Sequence, residues 1–276
     1  MARRPFIDEP LSLLAVWSSR LALFGLAVAA LSVLILRSGL LDTGPTLATF
    51  GAGLAFAALA VVFAFGAFVT IWRQGLSGLG RALRGLVLGV LLLAYPAYLG
   101  SKALTLPQIS DITTDTSNPP AFQALAPERP KDRIAYPGAK TAALQLKAYP
   151  DIVPLQVDLP VRTLYALALK IVVKHKWTIA EARPPVGARG TGVIEATARS
   201  LVMGFRDDIV IRIVALDNAS SRIDLRSASR VGRFDFGANA KRLRGLLEDL
   251  DDAATNAPEA PPEPEPAKKP APRKKR

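Results

Sequence analysis

The residue types best suited to chemistry gather in one stretch, SASRVGRFDFGANAKR, from Ser227 to Arg242. Arg230, Arg233 and Arg242, with Arg226 just upstream, surround a single acid, Asp235, and two glycines. Guanidinium forks recognise carboxylate or phosphate, and a helix start after a glycine corner offers free N–H groups to the same anions. Asp235 weighs against the helix end itself. As the cap of a helix beginning near Phe236 it satisfies those donors and repels an anion. The segment RGTG, Arg189–Gly192, is the other stretch with the composition of an anion cradle. What survives is an arginine set, Arg212, Arg226, Arg230 and Arg233, as the candidate ligand-binding residues.

Other chemistry is narrower. There is one histidine and no cysteine, so thiolate zinc sites, iron–sulfur clusters and paired-histidine sites have no donors within this chain. His175, in KHKW, falls at the end of a helical apolar stripe, and no GxSxG elbow offers it a nucleophile. A packed or capping role is the expectation. Asp207 and Asp208 are adjacent in a strand and so point to opposite faces, which forbids them flanking one bond. The run DITTDTSN, Asp111–Asn118, has calcium-like side chains but the wrong spacing. No glycine follows the ligands, and Phe122 stands where a closing Glu belongs. No catalytic residue, metal or cofactor is therefore assigned.

The elements that must position these residues are legible from Asp158 onward. Asp158 and Pro160 start a helix whose face is Leu164, Ala168, Ile171, Val172 and His175. Strands follow at Trp177–Ala182, Gly192–Ser200, Asp208–Leu216 and Arg222–Arg230, the last two joined by the turn DNASS. Phe236, Ala240, Leu243, Leu247 and Leu250 then mark a closing helix. The fold class is α+β: an antiparallel sheet with two helices over one face. Ile209, Ile211 and Ile213 must share a face with Ile223 and Leu225, which pairs Ile213 with Ile223 and sets Arg212 opposite Asp224. The other face then carries Arg212, Asp224, Arg226 and Arg230, with Glu195 and Thr197 beside them. A face of this kind is expected to lie in water, the alternative being a shallow groove for an anionic or polar ligand. Residues 107–140, rich in proline, read as loop.

IEATARSLVMGFRDDIVIRI (Ile194–Ile213) and RIDLRSASRVGRFDFGANAKRL (Arg222–Leu243), preceded by DITTDTSNPPAF (Asp111–Phe122), resemble the uncharacterised bacterial family "domain of unknown function 1499" (DUF1499) over about residues 106–250. The N-terminal apolar runs are similar to its membrane-anchored branch. The resemblance implies a fold unit and no established chemistry.

Those runs are Leu21–Leu41, Thr46–Trp72 and Gly85–Ser101, each near or above the roughly 17–20 apolar residues that a span needs. Two more spans follow the first, and no small-residue cleavage site closes it, so it reads as a retained helix rather than a signal peptide. None carries a mid-span charge, as a transporter or proton relay would, and Gly51, Gly53, Ala55 and Ala57 have the small-xxx-small spacing of packed helices. Arg3, Arg4, Arg20, Arg73, Arg81 and Arg84 lie on one side of the runs and Arg37 and Lys102 on the other. Six against two puts the N-terminus in the cytoplasm and the domain in the periplasm of a bacterial inner membrane. The expected organisation is a transmembrane bundle over 1–105, an extracytoplasmic domain over 106–252, and a disordered Pro/Lys-rich tail over 253–276.

Basic residues outnumber acidic ones 8 to 3 over 1–106, 21 to 17 over 107–252 and 6 to 3 beyond. The excess is distributed, without a nucleic-acid patch. The partners expected are the bilayer and an anionic envelope component or a protein. A non-enzymatic binding or interaction module is the leading functional reading. A hydrolase or transferase acting on lipid or cell-wall material at the membrane surface is the alternative.

Overall fold

The structure, a computed structural model, describes residues 9–257. Arg3 and Arg4, used above for orientation, and most of the Pro/Lys-rich tail lie outside the described residues. Three long apolar helices come first: α1 (Leu13–Ser38), α2 (Thr43–Gln74) and α3 (Leu79–Ala103), with peak mean hydropathies of 2.2, 2.5 and 1.7. Each is long and apolar enough to cross a bilayer. α1 starts eight residues before the apolar run does, because Ser12 accepts a cap bond from the Ala15 N–H (3.4 Å) and Arg20 is carried on the helix surface. Its guanidinium lies 5.8 Å from the Trp17 ring, so the charge that marked a boundary in the sequence is absorbed by a neighbouring aromatic.

The bundle is small inside and large outside. Ala15, Ser18, Ala22, Gly25, Ala29 and Ser32 are the buried stripe of α1, and Gly53, Ala57, Ala60, Ala64 and Ala67 that of α2. Intervals alternating between three and four keep each stripe on one side of its helix. A Cβ on Gly25 would sit 2.7 Å from the Gly53 carbonyl oxygen, so the backbones meet there with no room for any side chain. Of the small pairs picked out in the sequence, Gly53 and Ala57 face the seam, whereas Gly51 and Ala55 are exposed. Phe24, Leu31, Leu34, Phe65 and Leu91 point outward. That is the inverse of a water-soluble bundle, as lipid contact requires.

Beyond α3 lies a sheet with strand order β1-β6-β5-β4-β3, in which β2 also pairs with β6, all antiparallel. β3 (Thr178–Arg183), β4 (Thr191–Arg199), β5 (Arg206–Ala215) and β6 (Ser221–Ser229) fall where alternation places them. The register also follows the apolar pattern: Ile213 pairs with Ile223, and Arg212 with Asp224. Helices α5 (Val161–Lys174) and α6 (Ala238–Thr255) cover one face. Leu164, Ala168 and Val172 meet Ile194, Ile211, Ile223, Leu225 and Leu243 in a core with almost no exposure.

β1 (Asp111–Thr113), β2 (Leu155–Val157) and α4 (Ala139–Ala148) have no counterpart in the sequence reading. Three-residue strands show no period to find. α4 closes the edge that β1 would leave open: the Gln145 amide accepts from the Thr113 N–H (3.1 Å) and donates to its carbonyl (2.6 Å), standing in for a neighbouring strand.

The second face of the sheet is the main correction. It was expected to be solvated, but the proline-rich segment 114–137 lies across it. Phe122 and Leu125 from that segment pack on Val210 and Ala228, and the charged residues around them are sealed beneath.

Candidate functional site: the arginine face and the cleft beside it

Alternation along β4, β5 and β6 puts Glu195, Thr197, Asp208, Arg212, Asp224, Arg226 and Arg230 on one face, as the sequence implied. Burying such charges is expensive unless each is compensated; here every arginine and aspartate of the set has an opposite charge, and Glu195 has three backbone N–H donors. Arg226, 1% exposed, grips Asp111 through both oxygens (2.9 and 2.8 Å) and donates to the Pro120 and Ile134 carbonyls. Its guanidinium lies 4.6 Å from the Phe122 ring and 5.8 Å from Tyr136. Burial, with Asp111 adding and Arg226 opposing, pushes the Tyr136 phenol up to about 12.

Asp208, fully buried, joins three elements. It accepts from Arg129 (2.7 Å), from Arg230 (2.8 to 3.0 Å) and from the Thr197 hydroxyl (2.8 Å). Burial lowers the pKa of Arg129 despite the compensating bond to Asp208. Burial works against the Arg230 charge too, but Asp208 and Glu128, the latter at 2.6 Å, outweigh it and raise its pKa. Arg212 binds Asp224 (2.8 Å) and the Asn118 carbonyl. Glu195 is held by backbone alone, accepting from the N–H groups of Gln123 (2.8 Å), Ala124 (3.2 Å) and Leu125 (2.9 Å). No buried side-chain nitrogen or oxygen among the described residues lacks a hydrogen-bond partner.

Three of the four candidate ligand-binding residues, Arg212, Arg226 and Arg230, are thus engaged by internal carboxylates. Arg233 stands apart from them, exposed at the corner after β6, with no carboxylate partner among the described residues. It lines a cleft of about 300 Å³ together with Ser110, Arg129, Asp132, Arg133 and Thr141. Arg133 donates to the Gly232 carbonyl and has no carboxylate partner either. Against these two free cations the rim sets one unpaired acid, Asp132, while Asp111 and Arg129 in the wall are neutralised by Arg226 and Asp208. Pro137 and Thr141 bring the start of α4 to the same cleft, and its cap residue, Gly138, supplies no side-chain acceptor.

Sequence reasoning missed Arg129 and Arg133 because both lie in PERPKDR, within the stretch read as loop. Charge balance gave no signal, because the strand face already sets Glu195, Asp208 and Asp224 against its three arginines, yet Asp111, Asp115 and Glu128 reach it from elsewhere. Asp111 and Asp115, the first acids of the calcium-like run, are accordingly salt-bridge partners. Asp115 also accepts from the Ser117 and Asn118 N–H groups.

The remaining candidates separate. Asp207 and Asp208 do face opposite ways, Asp207 binding Arg242 (2.6 Å) on the α6 side. The helix after the glycine corner begins at Ala238, two residues later than expected, and its cap residue is Gly237 rather than Asp235, which still supplies an acceptor from just upstream. Its carboxylate accepts from the Gly237 N–H (2.8 Å) and the Asn239 N–H (2.9 Å). His175, the C-cap residue of α5, has a side chain one-third exposed, bonds Asp249 of α6 (2.7 Å) and stacks on Trp177. That is a surface tie between two helices, with no hydroxyl nucleophile bonded to the ring.

The chain is similar to the solved protein XoxI from Bacillus cereus at 10% identity, over 38% of this chain and 94% of that one, with a TM-score of 0.23. No curated protein matches it. Residues 111–250 match the family model described as "Protein of unknown function (DUF1499)", and the chain belongs to that family.

Proposed function

We propose that the chain is a membrane-anchored envelope protein whose DUF1499 domain works in the periplasm as a non-enzymatic binding module. Its ligand is a small anion or the anionic group of an envelope component, taken by Arg133 and Arg233 in the cleft of about 300 Å³. The observation that carries this reading is the contrast between two sets of arginines. Those under the 114–137 segment are consumed by internal acids, whereas the two at the rim have none, and guanidinium groups are well matched to carboxylate and phosphate. This moves the ligand-binding role from Arg212, Arg226 and Arg230 to Arg233 and its neighbour Arg133.

Orientation rests on the basic residues of the helix ends. Arg20, Arg73, Arg81 and Arg84 lie toward the end where Ser12 donates to the Ser77 carbonyl (3.0 Å), and Arg37 and Lys102 lie toward the other. The richer end belongs in the cytoplasm. A reporter fused at residue 257 is expected to be active only when it works in the periplasm; activity confined to the cytoplasm would reverse the topology.

Titrating the full chain in lipid nanodiscs with glycerol phosphate tests the ligand claim. Wild type is expected to bind, and Arg133→Gln/Arg233→Gln to lose binding while staying folded: Arg233 is exposed, and half-buried Arg133 gives up one hydrogen bond, to the Gly232 carbonyl, worth about 0.5–1.5 kcal/mol. Equal binding by both proteins defeats the assignment.

A further inference from the structure

The two ends of the β5 strand differ in a way that folding alone does not require. Its far end turns through Leu216–Ser220, where half-exposed Leu216 is followed by a polar turn in which Asp217 accepts from the Ala219 and Ser220 N–H groups. Its near end follows the β4–β5 connection SLVMGF, Ser200–Phe205, which is apolar. That connection is well built: the Ser200 N–H donates to the Phe205 carbonyl (2.8 Å), the Phe205 N–H to the Ser200 hydroxyl (2.9 Å), and Gly204 takes a φ of +72°. Even so, it holds Leu201 at 91% exposure. With Val202, 38% exposed, it presents an outward apolar tip of the kind that suits a lipid surface.

The tip also lies at the end of a membrane helix. Arg37, in the last turn of α1, donates to the carbonyls of Leu201 (2.6 Å) and Val202 (3.2 Å). α1 ends at Ser38, followed by Leu40 and Leu41, 77% and 59% exposed. The hairpin tip and this apolar inter-helix loop therefore form one continuous surface with the bundle. Flanking the tip, Arg199 and Arg206 are direct cross-strand partners. Like charges directly opposite each other destabilise a hairpin, and neither has a carboxylate partner among the described residues. Both line a cleft of about 360 Å³ with Arg37, Phe205, Leu41 and Asp42. Asp42 is its one acid without a salt bridge; Glu128, also in the wall, belongs to Arg230. Three free arginines against one free acid leave the cleft cationic.

We propose that the β4–β5 tip is seated in the bilayer surface on the side where α1 ends, with Leu201 among the upper acyl carbons and Arg199 and Arg206 bracketing the phosphate of a phospholipid headgroup. The phosphate removes the repulsion between the two arginines, and the tip fixes the domain's height and tilt on the membrane. This rests on the membrane anchorage of the proposed function and is independent of the Arg133–Arg233 cleft.

The chain has no cysteine, so Leu201→Cys and Asn218→Cys each carry a unique thiol for an environment-sensitive fluorophore. In nanodiscs containing phosphatidylglycerol brominated on its upper acyl carbons, the label at 201 is expected to be quenched at least twofold more than the label at 218. Equal quenching places the tip in water or against a protein and overturns the proposal. For the headgroup, Arg199→Gln/Arg206→Gln is expected to bind phosphatidylglycerol about tenfold or more weakly in detergent. Its unfolding midpoint there should be no lower than wild type, because the substitution also removes the like-charge pair. Undiminished lipid binding, or displacement of the lipid by inorganic phosphate at equal concentration, contradicts the headgroup assignment.

Discussion

Arg226→Met asks whether the charged sheet face is interior or surface. Arg226 is 1% exposed and its partner Asp111 6% exposed, and the two oxygens of Asp111 face the guanidinium at 2.9 and 2.8 Å. Methionine fills much of the space but leaves a buried carboxylate without a counter-charge, a change that costs about 3–5 kcal/mol. The Pro120 and Ile134 carbonyls lose a donor at the same time, which moves the value toward the upper end. Domains of this size are stable by about 5–15 kcal/mol, so a third or more of the total is at stake. With a urea slope near 2 kcal/mol per M, the midpoint falls by roughly 1.5–2.5 M. Trp177 is the one tryptophan beyond the apolar helices, so its fluorescence in a Trp17→Phe/Trp72→Phe background reports on the domain alone. Removing both partners, Asp111→Leu/Arg226→Met, is expected to recover most of the loss, because a buried pair replaced by apolar groups is often close to neutral. A single variant whose midpoint lies within about 0.3 M of wild type means that Arg226 is solvated, and refutes the buried-face reasoning.

Glu195→Gln trades a carboxylate that accepts from three backbone N–H groups for an amide with one acceptor. Loss of about 1.5–3 kcal/mol is expected, and hydrogen exchange should show the amides of residues 123–125 losing protection; unchanged exchange there counts against the clamp. Gly53→Val forces apart backbones that meet where a Cβ would lie 3.0 Å from the Gly25 carbonyl oxygen. SDS titration of the bundle should show destabilisation of at least about 1–3 kcal/mol, whereas Gly51→Val, at an open position, should be near neutral. Asp249 is held below the usual carboxylate range, first by its hydrogen bond from Lys174 and then, against a burial penalty, by His175. A depressed folded pKa gives stability that is present above the unfolded value near 3.9 and lost as pH falls through the folded one. Asp249→Asn should therefore lose less stability than wild type between pH 5 and pH 2, and parallel acid profiles would exclude a contribution from this tie.

The sequence pattern carried the sheet a long way. Period-two alternation in Ile209–Ile213 and Ile223–Leu225 sufficed for the register of β5 on β6, because a one-residue slip would turn every isoleucine outward. Small residues likewise announced a packed bundle, although only contact geometry could tell Gly53 from Gly51. The failure on the second face has a definite cause. The residues that cover it, Phe122, Leu125 and Arg129, are spaced irregularly among prolines, and what holds them is side chain to backbone bonding across about 70 to 100 residues of sequence. Local period contains nothing of such contacts. Arg212, Arg226 and Arg230 were therefore correctly grouped on one face, while their engagement by internal acids, which removes them from a binding role, was not legible.

Arginine-selective modification of the folded chain with phenylglyoxal, followed by peptide mass spectrometry, tests the division between scaffold and cleft arginines most directly. Arg133 and Arg233 are expected to react in the native protein and to be protected by glycerol phosphate, while Arg129, Arg226 and Arg230, each at most 8% exposed, react only after denaturation. Modification of Arg226 or Arg230 in the native protein as fast as that of Arg233 would contradict it.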